Sequence, residues 1–188
     1  MNSQAFFEQV KTYHSLSIES EAVWEALLQE KLYAKEESFV SEGQVPRKVA
    51  FVVKGLFSQY YTSNEGDIVI KYFFPENRIA GSIGSMLSNT SSVFTITAIE
   101  RTTVLEYSFA EFRKLTERFP DIAGFYMRYM EQHWIIEKEP YEISLRHDAA
   151  RVRYDHFLKK YPVLIKRLKK HHIASYLGIT PTQLSRIL

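Results

Sequence analysis

From about Lys31 to Ser108 the chain is a succession of short runs: "SFV", "KVAFVVKGLFSQYYT", "DIVIKYFF", "VFTITAI" and "TVLEYS". Val, Ile, Tyr, Phe and Thr dominate them, and β-branched and aromatic side chains suit a pleated, half-buried surface. Between the runs lies turn chemistry: Glu42-Gly43, Lys54-Gly55, Asn64-Glu65-Gly66-Asp67 and Pro75-Glu76-Asn77. Phe94, Ile96 and Ala98 alternate with Thr95 and Thr97, the period-two pattern of a strand with one face buried. Short strands at this spacing leave a compact antiparallel sandwich or barrel as the solution.

Helical patterns flank that region, so the class is α+β. "SIESEAVWEALLQEKL" places Val23, Trp24, Leu27 and Leu28 at helical spacing behind Ser17 or Ser20 as N-cap. "FAEFRKLTERF" forms a short helix stopped by Pro120. Ile122, Phe125, Tyr129, His133 and Ile136 then recur at near-heptad spacing, as a dimer seam or as a face packed on the sheet. Pro140 should kink this long helix, because proline lacks the donor and clashes with the preceding turn. The spacing predicts segments at 1–118, 119–148 and 149–188.

Charge separates these segments. From Arg151 to Leu188 nine Lys or Arg face one acid, giving +8, whereas the first 150 residues carry fifteen bases and twenty-one acids, giving −6. A basic tail on an acidic body predicts a polyanionic partner, with a solvated basic face as the alternative. Cysteine is absent, which removes disulfides and thiolate metal sites and suits a reducing cytoplasm. No histidine lies between His14 and His133, so no metal is expected in the strands. The start "MNSQAFFEQVKTYHSL" lacks secretory-signal features, and no apolar run is of membrane-spanning length, so no membrane partner is expected. Phosphate loops and the G-x-S-x-G, H-E-x-x-H and G-x-G-x-x-G motifs are missing, and no enzyme is expected.

The closing "HHIASYLGITPTQLSRIL" carries the densest chemistry. Ile173, Ala174 and Leu177 form one apolar helix face, Gly178 permits a sharp turn and Ile179 fills the angle. Thr180 then caps a second helix with Pro181 at its first position and Gln183 three residues after the cap. Leu184 and Ile187 point inward, leaving Pro181, Thr182, Ser185 and Arg186 outward. These are the requirements of a helix-turn-helix whose second helix enters the DNA major groove. Arginine is the best single reader there, since its fork matches guanine. Thr180, Pro181, Thr182, Ser185 and Arg186 are the expected readers, and Lys166, Arg167, Lys169, Lys170, His171 and His172 the expected phosphate contacts.

A β-rich domain, a long helix and this ending together resemble the CRP/FNR family of bacterial transcription regulators. "FVVKGLFSQYY" looks like the family's strand–glycine–strand unit, "FFPENRIAGSIGSML" its turn and phosphate-binding cassette, and "SLRHDAARVRYDHFL" its hinge. The resemblance implies an antiparallel β-roll (a double-stranded β-helix of the cyclic-nucleotide-binding type), a dimerisation helix and a C-terminal helix-turn-helix. It implies double-stranded DNA as partner and a homodimer, and leaves RNA polymerase open as a further partner.

Within the cassette, Gly81, Ser82, Ile83, Gly84, Ser85, Ser92 and Val93 are the candidate ligand pocket. The family's ribose-binding glutamate falls at Ser82 and its phosphate-binding arginine at Ser92. Losing one charge-assisted contact costs about 1.5–3 kcal/mol, so tight cyclic-AMP binding is not expected. Glu137 and Lys138 stand near the hydroxyl positions of nucleotide-binding members, and an acid there repels phosphate. The cassette serines otherwise furnish a solvated loop or hold another effector, and no cofactor is expected. Thr182 falls where many members carry glutamate, so the preferred DNA sequence should differ. The family's β-wing has no counterpart before Leu188, and the last turn, with Arg186, is expected to be weakly ordered until DNA docks. The alternative reading is a ligand- or protein-binding β-roll module with a vestigial DNA-binding end.

Overall fold

The computed structural model of the protein describes residues 3–188. Helices α1 (Ser3–Lys11) and α2 (Ile18–Glu25) precede strands β1 (Gln29–Tyr33), β2 (Ser38–Val40), β3 (Lys48–Lys54), β4 (Phe57–Thr62), β5 (Ile68–Phe74) and β6 (Ile79–Ala80). Helix α3 (Ile83–Ser88) leads to β7 (Thr95–Ala98) and β8 (Thr102–Ser108). Then come α4 (Phe109–Arg118), α5 (Pro120–Met130), a π-helical turn (Glu131–Ile136), α6 (Lys138–His147), α7 (Ala150–Lys160), α8 (Lys170–Tyr176) and α9 (Pro181–Ile187).

The strands form two four-stranded antiparallel sheets, ordered β1-β8-β3-β6 and β2-β7-β4-β5. Val40, Val52, Phe57, Phe74, Ile96 and Val104 fill the space between them. The runs pointed to an antiparallel sandwich or barrel, and the two packed sheets are arranged as the β-roll that the family resemblance implied. Gly55, between β3 and β4, has φ +109°, and a Cβ there would lie 2.6 Å from Thr102 Cα. Only glycine fits so close an approach in that conformation.

Outside the first sheet, α1 and α2 complete a second core that the sequence only half announces. Phe6, Trp24, Phe112 and Phe125 pack over Phe51, Leu105 and Tyr107 of β3 and β8. The Trp24 ring centre is 5.1 Å from Phe6 and 4.9 Å from Phe112. The helix expected through Leu32 stops early: Leu27 and Leu28 donate to Trp24 and Glu25, three residues back, tightening the last turn. Residues 29–33 instead add β1 to the edge of β8 in unbroken register.

The long helix departs furthest from expectation. Ile122, Phe125 and Tyr129 are buried within the chain and not on a free seam. His133 is internal as well, while Ile136 is 59% exposed. The cause is the π-helical turn, where Glu137 N–H donates to Gln132 O, five residues back. One extra residue rotates everything after it by about 100°, so the core-facing stripe leaves the core before Ile136. The helix restarts at Lys138 with Pro140 in its first turn, where a missing N–H costs least. What this helical run turns to solvent is Met127, Ile135, Ile136 and Ile143.

Candidate nucleic-acid interface and sensor cavity

The closing hairpin is built as its residues require. Thr180 Oγ1 accepts from Gln183 N–H at 3.1 Å and Gln183 Oε1 accepts from Thr180 N–H at 2.9 Å, a reciprocal capping box with Pro181 at the first helical position. Gly178 turns the chain at φ +65°, and Ile173, Ala174, Leu177 and Leu184 are buried. Thr180, Pro181, Thr182, Ser185, Arg186, Lys166, Lys169, Lys170 and His171 are exposed, so the expected readers and four of the six expected phosphate contacts share the solvent side of one unit.

Two of the expectations change. His172 is half-buried with Nδ1 unpartnered, and burial, then His171 and Lys169, push its imidazole down to about 4. It is therefore neutral near pH 7 and offers no charge to a phosphate. Arg167 is engaged elsewhere: its guanidinium meets Glu76 at 2.9 Å through two nitrogens and Glu100 at 2.5 Å. In the last turn of α9, Arg151 donates to the Ile187 carbonyl at 2.6 Å, satisfying a terminal acceptor. Neither arginine's role has a local signature, because both partners lie far away in sequence.

The hairpin docks on the β-roll. Ser175 Oγ donates to Ile68 O at 2.5 Å and accepts from Ile70 N–H at 2.9 Å, bridging α8 to the edge of β5. Phe73 of β5 packs among Phe157, Tyr161 and Tyr176. Tyr141 of α6 donates to Tyr176 O at 2.6 Å, with the two rings stacked.

In the cassette, α3 starts after Ser82, and Gly81, Ser82, Ile83 and Ser92 are buried. Ser92 Oγ lies 2.9 Å from Ser82 Oγ, and Ser82 Oγ lies 3.2 Å from Ser85 Oγ. The two positions matched to the family's charged groups thus satisfy each other internally and do not furnish a solvated loop. Gly84 and Val93 face solvent.

A different cavity, of about 230 Å³, opens between β4–β5 and the helices. Tyr72, Phe74, Tyr129, Trp134, Tyr141 and Tyr176 supply most of its apolar wall, and Lys71, Lys138, Lys160, Glu137 and Glu142 its charges. Arg78 grips Glu137 at 3.0 and 3.1 Å and also contacts the His133 ring. His133 Nδ1 lies 2.8 Å from Glu137 Oε1, and Nε2 lies 2.7 Å from Tyr13 OH. Burial pushes the Glu137 carboxyl up, but His133 and Arg78 outweigh it and hold it at about 2. The acid at 137 is therefore charged and internally matched. Among the described residues no group of three or more His, Cys, Asp or Glu could hold a metal ion, and no helix is long and apolar enough to cross a membrane.

Residues 30–119 match the family model of the cyclic nucleotide-binding domain. A search of curated proteins finds no match. Among solved structures the chain is similar to FixK2 from Bradyrhizobium japonicum, with 20% identity and a TM-score of 0.72 over 85% of this chain and 82% of that one. It is similar to CLP, the c-di-GMP responsive global regulator of Xanthomonas campestris, with 13% identity and a TM-score of 0.73 over 92% and 90%. The catabolite activator protein of Thermus thermophilus shares 19% identity, with a TM-score of 0.58 over 95% and 84%. Residues 30–119 therefore match the cyclic nucleotide-binding domain, and the chain as a whole shares its fold with these three solved structures.

Proposed function

We propose that the protein is a DNA-binding transcription regulator of CRP/FNR type, acting as a cytoplasmic homodimer, whose β-roll senses something other than cyclic AMP. The observation that carries this reading is α9: a capped helix anchored by buried Leu184 that turns Thr182, Ser185 and Arg186 outward beside Lys169, Lys170 and His171. The N-terminal residues of such a helix reach base edges while neighbouring cations hold the backbone. Each protomer, through its unit at 149–188, takes one half-site, and the outward row Met127, Ile135, Ile136 and Ile143 supplies apolar surface for pairing. The neighbours described as an activator and a global regulator support this role. RNA polymerase is the partner such a role calls for. Ser82 and Ser92, bonded to each other where nucleotide-binding members are charged, support the exclusion of cyclic AMP.

Fluorescence anisotropy on DNA from upstream of the protein's own gene, against unrelated DNA at several salt concentrations, tests the reading. Arg186→Ala should remove about 1–3 kcal/mol of preference for the upstream fragment and leave the salt slope nearly intact. Weak binding, indifferent to sequence and to the substitution, sinks it. That result favours a ligand- or protein-binding β-roll with a vestigial DNA-binding end, a reading that draws on the docking of α8 against β5 through Ser175.

A further inference from the structure

The charged groups around the 230 Å³ cavity do not balance. Glu142 pairs with Lys138 at 3.0 Å, and Glu137 pairs with Arg78, with His133 and, at 3.9 Å, with Lys160. Both acids of the wall are thus occupied. Lys71 has no carboxylate partner among the described residues; its ammonium lies 4.2 Å from the Phe94 ring centre and 5.6 Å from that of Trp134. Aromatic faces attract a cation but replace its lost hydration only in part. Burial, with Lys138 nearby, pulls the Lys71 ammonium below its usual range, the direction expected of a cation lacking a counter-ion.

Shape and chemistry narrow the occupant. The volume holds about eight waters' worth of matter and falls below the roughly 300–1,000 Å³ of drug-sized sites. Tyr72, Trp134, Tyr141 and Tyr176 offer flat apolar walls, which suit a planar or branched hydrocarbon body. A phosphate, doubly charged and strongly hydrated, needs several donors and cations, whereas one lysine is uncommitted. We propose that this cavity binds a small apolar monocarboxylate, its acid group paired with Lys71 and its body stacked on the aromatic wall. The proposal rests on the sensor half of the function above and is independent of DNA binding.

Calorimetric titration of the full chain with benzoate, phenylacetate and 4-methylpentanoate, each beside its amide and beside cyclic AMP, tests it. Trp134 fluorescence follows the same titrations, since Trp134 lines the cavity and Trp24 lies in the α2 core. At least one acid should bind saturably, at least tenfold tighter than its amide and than cyclic AMP, with quenching that Trp134→Phe removes. Lys71→Met should erase the preference for acid over amide at unchanged melting temperature, and Lys71→Arg should keep it. No saturable binding by any of the three acids up to millimolar concentration overturns the proposal, as do equal affinities for acid and amide, tighter cyclic-AMP binding or an indifferent Lys71→Met. DNA anisotropy on the same samples keeps the two readings apart: acid binding without DNA recognition removes the regulator, and DNA recognition without acid binding removes only the ligand.

Discussion

Substituting Arg167 by methionine keeps the apolar stem and deletes the fork that joins the C-terminal helices to the β-roll. In the native chain that fork meets Glu76 at 2.9 Å twice and Glu100 at 2.5 Å, with side-chain exposures of 21%, 35% and 37% for Arg167, Glu76 and Glu100. At about 3 Å and an effective dielectric near 20, each pair has a gross attraction of about 5 kcal/mol. Desolvation of three ions and access of water return most of it, so each carboxylate contributes about 1–1.5 kcal/mol, between the values for exposed and buried pairs. The expected loss is about 2–3 kcal/mol in urea unfolding, with faster proteolysis at the extended Asp148-Ala149 link between α6 and α7. A double-mutant cycle with Glu76→Gln should show coupling of about 1–1.5 kcal/mol. Burial raises the Glu76 carboxyl, but the hydrogen bonds from Arg167 and from backbone N–H groups outweigh it and hold it low. The contribution is therefore complete above the ordinary carboxylate range and fades as pH falls through the lowered folded value. Coupling within the additivity error of about 0.3–0.5 kcal/mol would show that solvent screens the clamp and refute this reasoning.

Gly55→Ala places a Cβ 2.5 Å from Thr102 Oγ1 at φ +109°, and a loss of about 3 kcal/mol or more should appear in thermal melts. Thr180→Ala opens the capping box and should cost about 1 kcal/mol and weaken DNA binding, while Thr180→Ser restores both in parallel unfolding and anisotropy measurements. Glu137, held at about 2, stabilises the fold above the unfolded carboxylate value and loses that contribution as pH falls through about 2. After allowance for solvent the effect is about 2 kcal/mol, and in acid titrations followed by circular dichroism Glu137→Gln should flatten this part of the curve.

What the sequence made legible follows the range of the interactions involved. The strands alternate or form apolar runs, and the turns carry Gly or Asn, so most of the β-roll could be placed. The capping box sits within four residues, and its geometry matched the motif. β1 could not be found this way, because four of its five residues are exposed and it is held by backbone pairing to β8 rather than by a buried face. The stripe Ile122-Phe125-Tyr129 was correctly identified as apolar, but periodicity cannot say which neighbour it meets, and it hides a π-turn that leaves no mark in composition. Ser82 and Ser92 look like loop residues until folding brings their hydroxyls together. The cavity was missed for the same reason: Tyr72, the pair Trp134 and Tyr141, and Tyr176 lie on three separate stretches that share a wall only in the folded chain.

Tyr176 is the first residue to consider if this protein is cut and recombined. It belongs to the hairpin that carries Thr182 and Arg186, yet its ring lines the cavity, stacked on Tyr141, whose hydroxyl its carbonyl holds. A chimera that borrows foreign C-terminal helices would therefore inherit a different chamber. Mutational drift toward a new DNA sequence would likewise be constrained on one flank by whatever the chamber accommodates. Under the proposed function, small molecule and base pair are read in part by the same short stretch of chain.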